Sequence, residues 1–167
     1  MTTHPSPMPS GYAATWLVAQ ARKLAQTAHA GQKDKAGFDY FDAHVADVAY
    51  RLRGWSPLVQ CVAYLHDVVE DTRDRPEPRR VTLEDLRQVF PGEVVDAVDA
   101  ITHREHEPRD DYYARVRANQ AALDVKLHGD IPSNTDPERL ALLPLEECGR
   151  LARKYEHAVA ELTTVPA

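Results

Sequence analysis

The segment His66-Asp67-Val68-Val69-Glu70-Asp71-Thr72 sets four ionisable side chains directly behind an apolar run, Leu58 to Leu65. Charges left unpaired against apolar surroundings are costly, so these groups need partners. A divalent cation is an economical one. Imidazole and carboxylate ligands with open water positions suit Mn²⁺, Fe²⁺ or Zn²⁺, and an octahedral mixed set favours the first two. On a helix, His66 and Glu70 share one face, and Asp67 and Asp71 share the adjoining one. One part of the segment could then hold an ion while the rest handles protons. A lone His-Asp pair at a charged helix end would mean nothing. The apolar run before it and the acids after it give this one weight.

Further ligands stand elsewhere in the chain. His44 is flanked by Val45, Val48 and Ala49, which points it inward. Far downstream, Val125-Lys126-Leu127-His128-Gly129-Asp130 leads an apolar turn into an acid, and Asn134 follows one turn later. Either Asp130 or His128 could complete a metal site.

The elements that must position these residues read as helices. Apolar spacing predicts helices over residues 12–30, ended by Gly31, and 42–52, ended by Gly54. Ser56-Pro57 is a strong helix start, and the segment from there to about Glu70 is the expected central helix. Residues 72–80 read as a loop with Arg73, Arg75, Arg79 and Arg80. Thr82-Leu83-Glu84-Asp85 resembles a capping box opening a short helix. Helices are expected over 93–101, 110–118 and 145–162, and another begins at 123–127 and is interrupted near Gly129 and Pro132. No segment alternates like a strand. The expected architecture is an all-α single domain, residues 12–162, between a flexible tail at 1–11 and a short tail at 163–167. Its site would lie in the bundle interior.

Composition narrows the function. The chain has 167 residues, 20 basic and 26 acidic, for a formal net charge of −6. That balance argues against a nucleic-acid partner. There is no membrane-length apolar run and no secretory signal pattern. Cys61 and Cys148 form neither a metal spacing nor a disulfide framework, so the expected location is cytoplasmic.

The ordered set Ala28-His29-Ala30-Gly31-Gln32, Asp34-Lys35-Ala36-Gly37, His44, the His66 to Thr72 block, Thr82 to Leu86 and Val125-Lys126-Leu127 resembles the HD-superfamily hydrolase domain of the RelA/SpoT family, in its small stand-alone alarmone hydrolase form. The resemblance spans nearly the whole chain and implies an all-α HD-domain bundle holding one metal ion, usually Mn²⁺, with Fe²⁺ or Zn²⁺ as alternatives. It implies His44, His66, Asp67 and a late Asp as ligands. It implies Glu70 and Asp71 as the pair that orients and activates the attacking water. Lys35, with Lys33 beside it, would line the substrate pocket, Asn134 would contact a ribose, and Tyr155 would lie near the nucleotide. His29, Gly31 and Gln32 would be scaffold. The implied reaction is release of pyrophosphate from the 3′ position of (p)ppGpp.

Four departures qualify that pattern. The family's late Asp falls on Gly129, so Asp130 fits only if one residue is inserted. Val45 replaces a proline after the first ligand histidine. Asp34 stands where an arginine often packs on guanine. The loop at 72–80 is longer, and its arginines could steer a polyphosphate. Two other readings stay open: an HD phosphohydrolase for another phosphorylated nucleotide, such as an adenine alarmone or an NADPH-like dinucleotide, and a weakly active nucleotide-binding or antitoxin-like module. His103 and His106 read as an exposed linker.

Overall fold

Helix α3, Pro57–Leu65, is the element around which the others assemble. Ser56 caps it by accepting a hydrogen bond from the Val59 amide, and Pro57 fills the first turn, where no amide is needed. Val59, Cys61, Val62, Ala63 and Leu65 are buried, so the helix is apolar nearly all round, as a central helix must be. Truncating Leu65 to alanine would cost about 2–5 kcal/mol. The computed structural model describes residues 10–76 and 79–164.

Helix α1, Ser10–Ala28, lies against α3 through Ala21 and Ala25, both fully buried, whose small side chains let the helices approach closely. It begins at Ser10, inside the expected tail; residues 1–9 are outside the described part. Gly31 then takes a φ of +78°, a conformation that costs glycine little, and turns the chain into the loop before the next helix. That helix opens with a π-helical turn, Phe41–Val45, and continues as α2, Ala46–Arg51.

After α3 the chain breaks and resumes as α4, Val68–Thr72. The expected helix through Glu70 is therefore two pieces. His66 Nδ1 donates to the Ala63 carbonyl at 2.8 Å, the acceptor an unbroken helix would offer to the Asp67 amide. Helix α5, Leu83–Arg87, is opened by the expected capping box: Thr82 and Asp85 each accept from the other's amide. Helices α6, Gly92–Ile101, and α7, Arg109–Arg117, follow.

Helix α8, Gln120–Val125, is capped by Asn119 and packs on α3. It runs on through a second π-helical turn, Lys126–Asp130, into α9, Ile131–Asn134. The expected interruption near Gly129 and Pro132 is instead a widened turn that the helix absorbs. Pro132, whose ring crowds the preceding turn of a regular helix, sits just beyond it. Gly129 packs against α2: a Cβ there would stand 2.8 Å from both Val48 and Leu52. A short α10, Pro137–Leu140, and the long α11, Leu145–Thr163, which lies along α7, complete the bundle. Among the described residues no strand forms, and the all-α architecture stands as the sequence implies. No described helix is long and apolar enough to cross a membrane.

Candidate metal centre

Four side chains from three stretches of the chain converge. His44 Nε2 lies 3.2 Å from His66 Nε2, 3.2 Å from Asp130 Oδ1 and 3.5 Å from Asp67 Oδ2. His66 Nε2 lies 2.9 Å from Asp67 Oδ2 and 3.6 Å from Asp130 Oδ1. One ligand atom from each of the four lies within 4.8 Å of all the others, a cluster able to hold a metal ion. Donors bound to one ion at about 2.1 Å stand about 3.0–3.4 Å apart at right or tetrahedral angles, so the observed spacings suit a shared ion.

Local structure explains each placement. His44 and Asp130 both sit in π-helical turns, recognised by amides that reach five residues back, from Ala46 to the Phe41 carbonyl and from Ile131 to the Lys126 carbonyl. A π turn is one extra residue in a helix, and such turns gather at functional sites. The widened turn sets Gly129 against α2 and brings Asp130, 3% exposed, into the cluster. His128 is exposed and stacks on Trp55, with ring centroids 5.2 Å apart, so it does not contribute. Asp67 reaches the cluster because the backbone breaks there, at φ −108° and ψ −5°.

Each donor is held from behind, as metal ligands need to be. The Ala63 carbonyl can only accept, so His66 carries a proton on Nδ1 and turns Nε2 to the cluster. Burial opposes its charge, but Asp67 and Asp130 hold its pKa well above the ordinary value, so a metal ion would displace the Nε2 proton. Tyr40 Oη donates to Asp67 Oδ2 at 2.6 Å. Lys126 Nζ lies 2.6 Å from Asp130 Oδ2, and Asn134 Nδ2 donates to Asp130 Oδ1 at 2.8 Å. Burial opposes ionisation of Asp67, but the facing His66 and hydrogen bonds from both histidines hold its carboxyl well below the usual range. Lys126 and the same histidines do so for Asp130 against its burial. Both acids are thus kept as anions, the form a metal requires.

Asp71 behaves differently. Burial, with the charge of Asp67 adding, pushes its carboxyl up to about 7. Gln32 Nε2 donates to Asp71 Oδ2 at 2.7 Å, and His29 Nδ1 to Gln32 Oε1 at 2.9 Å. His29 and Gln32 are scaffold, as expected, and the object they position is Asp71. His29 Nε2 is buried without a partner among the described residues. Glu70 Oε2 accepts from the His103 amide at 3.0 Å.

A cavity of about 500 Å³ opens over the cluster, lined by Asp67, Asp130, Glu70 and Asp71 on one side. Lys33, Lys35, Asn134 and Tyr155 also line it. Two of these are less available than the sequence reading expects. Lys35 Nζ is bonded to Glu147 at 2.6 Å, and the Asn134 amide is spent on Asp130. Sequence reasoning missed other lining groups. Arg109 and Lys154 face the cavity, and among the described residues neither pairs with a carboxylate. Burial, with Lys126 and Arg109 nearby, holds the Lys154 ammonium below its usual range. Arg109 directly follows Pro108 at a helix start, and Lys154 adjoins Tyr155; neither spacing gives a signal without the fold. His103 also lines the cavity and is not an exposed linker; the exposed one is His106. The loop arginines do not face the site as a group: Arg73 donates to the His103 carbonyl, and Arg75 to the Ala28 carbonyl.

Asp34 does not present a free charge either. Its carboxylate accepts from the Ala36 and Phe38 amides, both at 2.9 Å, and pairs with Arg139 at 3.3 Å. No family model matches the chain, and no curated protein matches it significantly.

Proposed function

We propose that this chain is a metal-dependent phosphohydrolase of the HD type, acting on a phosphorylated nucleotide in the cytoplasm. The observation that carries the reading is the convergence of His44, His66, Asp67 and Asp130 beneath a cavity that also holds Glu70, Asp71 and uncommitted cations. Mn²⁺ is the proposed ion, with Fe²⁺ and Zn²⁺ as alternatives, because the donor set is half imidazole and half carboxylate. Such an ion supplies Lewis acidity toward a phosphoryl oxygen and lowers the pKa of water.

The chain's own residues do the rest. Asp71, fixed by Gln32 and poised near neutrality, orients a water molecule and takes its proton. Glu70, fixed by the His103 amide, borders the same space and holds the water from a second side. Arg109, Lys154 and Lys33 balance phosphate charge at the cavity wall. Tyr155, 7% exposed, offers an aromatic edge to the nucleoside.

The resemblance makes (p)ppGpp the first substrate, with pyrophosphate leaving from its 3′ position. The test is turnover by metal-analysed protein with Mn²⁺: pyrophosphate release from ppGpp supports this reading, and none refutes it. A second reading changes only the nucleotide. Asp34 is tied to Arg139 and to its own loop, so no guanidinium stands at that position to stack on guanine. Phosphate release from an adenine alarmone or a dinucleotide phosphate, with ppGpp left intact, would select it.

A further inference from the structure

His44 Nδ1, the ring nitrogen turned away from the cluster, meets two polar groups. It lies 3.0 Å from Ser133 Oγ and 3.0 Å from Arg139 Nη1. Arg139 makes a fixed demand on that nitrogen and Ser133 does not. A guanidinium only donates, so Arg139 bonds Nδ1 when that nitrogen is bare, which places the proton of a neutral ring on Nε2. A serine hydroxyl donates as well as accepts, so Ser133 can follow either ring, and it is the acceptor an Nδ1–H would find when Nε2 is left bare. Only the second arrangement offers Nε2 to a metal ion. His66 faces no such choice, because a carbonyl stands behind it.

Arg139 is anchored independently of His44. Its Nη2 pairs with Asp34 Oδ2 at 3.3 Å, and its Nη1 donates to Ser133 Oγ at 3.2 Å. Asp34 is immobilised in turn by the Ala36 and Phe38 amides, with its side chain 5% exposed. The guanidinium is a donor fixed behind a ligand histidine.

We infer that Arg139 is a positioning residue that opposes the Nδ1–H ring a metal-bound His44 needs, that Ser133 supplies the acceptor for that ring, and that their balance sets how tightly the cluster binds a metal ion. The inference rests on the metal reading of the cluster and not on turnover, so a chain that binds Mn²⁺ without hydrolysing any nucleotide fails the hydrolase reading alone.

The test is Mn²⁺ titration of the metal-stripped full chain, with the free ion followed by electron paramagnetic resonance. Arg139→Leu should bind about tenfold tighter and Ser133→Ala about tenfold weaker, the scale of effects from groups behind a ligand. Arg139→Lys, which keeps a donor, should stay nearer the wild type than Arg139→Leu. General structural damage would weaken all three, so a tighter Arg139→Leu is the decisive sign. Unchanged or weaker binding by that variant overturns the inference. If Arg139→Leu folds poorly, Arg139→Met, closer in shape, takes its place: it too should bind Mn²⁺ tighter than the wild type, and unchanged or weaker binding overturns the inference.

Discussion

His66 Nε2 and Asp67 Oδ2 lie 2.9 Å apart, although adjacent residues on a regular helix point about 100° away from each other. The backbone break between α3 and α4 removes that divergence, and both side chains reach one point. The break is a property of His66 itself, whose ring occupies the Ala63 carbonyl.

His66→Ala should therefore lose twice, once as a ligand and once as the group that ends α3. Metal content measured by elemental analysis should fall to background, and turnover with it. In the wild type, Mn²⁺ at a hundred times its Kd should raise stability by about 2.7 kcal/mol. A chelator should lower the melting temperature of the wild type and leave that of His66→Ala unchanged.

Gly129→Ala tests the register of the second π turn. The added methyl would meet Val48 and Leu52 at 2.8 Å, and overpacking of this kind costs about 1–3 kcal/mol. Chemical denaturation should show that loss. Metal affinity should fall too, because Asp130 is the next residue.

Asp71 gives a pH signature in the metal-free protein. Its carboxyl stands at about 7 in the fold, against about 3.9 in an unfolded chain. The folded state thus holds this proton more tightly, and the stability it contributes is complete below about pH 4 and is lost as pH rises through 7. Asp71→Asn should flatten that decline and make the metal-free protein more stable than the wild type at pH 8, by an amount on the order of 2 kcal/mol. The same substitution should abolish turnover. Urea melts at pH 5 and pH 8 check the first part; equal pH dependence in both proteins would refute it.

Lys154→Ala and Arg109→Ala should separate binding from chemistry. Each removes a cation from the cavity wall and leaves the metal cluster untouched. KM for a polyphosphorylated nucleotide should rise about tenfold with kcat little changed, and the penalty should shrink as salt is added. A matching fall in kcat would place these groups at the reacting phosphate instead.

The helices were legible because their signals are local. Ser56-Pro57, the Thr82–Asp85 box and the apolar run of α3 each act within a turn or two of chain. The break at His66 was not legible, because it depends on one ring choosing a backbone carbonyl over solvent. The four residues of the cluster were legible by type, but their convergence depends on the two π turns and the break at His66. The cavity cations divided by partner, which spacing cannot reveal: Lys35 is paired to Glu147, far away in the chain, while Arg109 and Lys154 are left uncommitted. The ion pair that ties Asp34 was not legible, because its partner, Arg139, is equally remote in sequence.

The two π turns make this centre unusually sensitive to chain length. Deleting a single residue from 126–129 would let that segment relax into an ordinary α-helix, with every backbone bond regained. The carboxylate of Asp130 would then swing about 100° around the axis and leave the other three donors behind. A deletion that improves local hydrogen bonding would thus dismantle the centre without altering any of its four side chains.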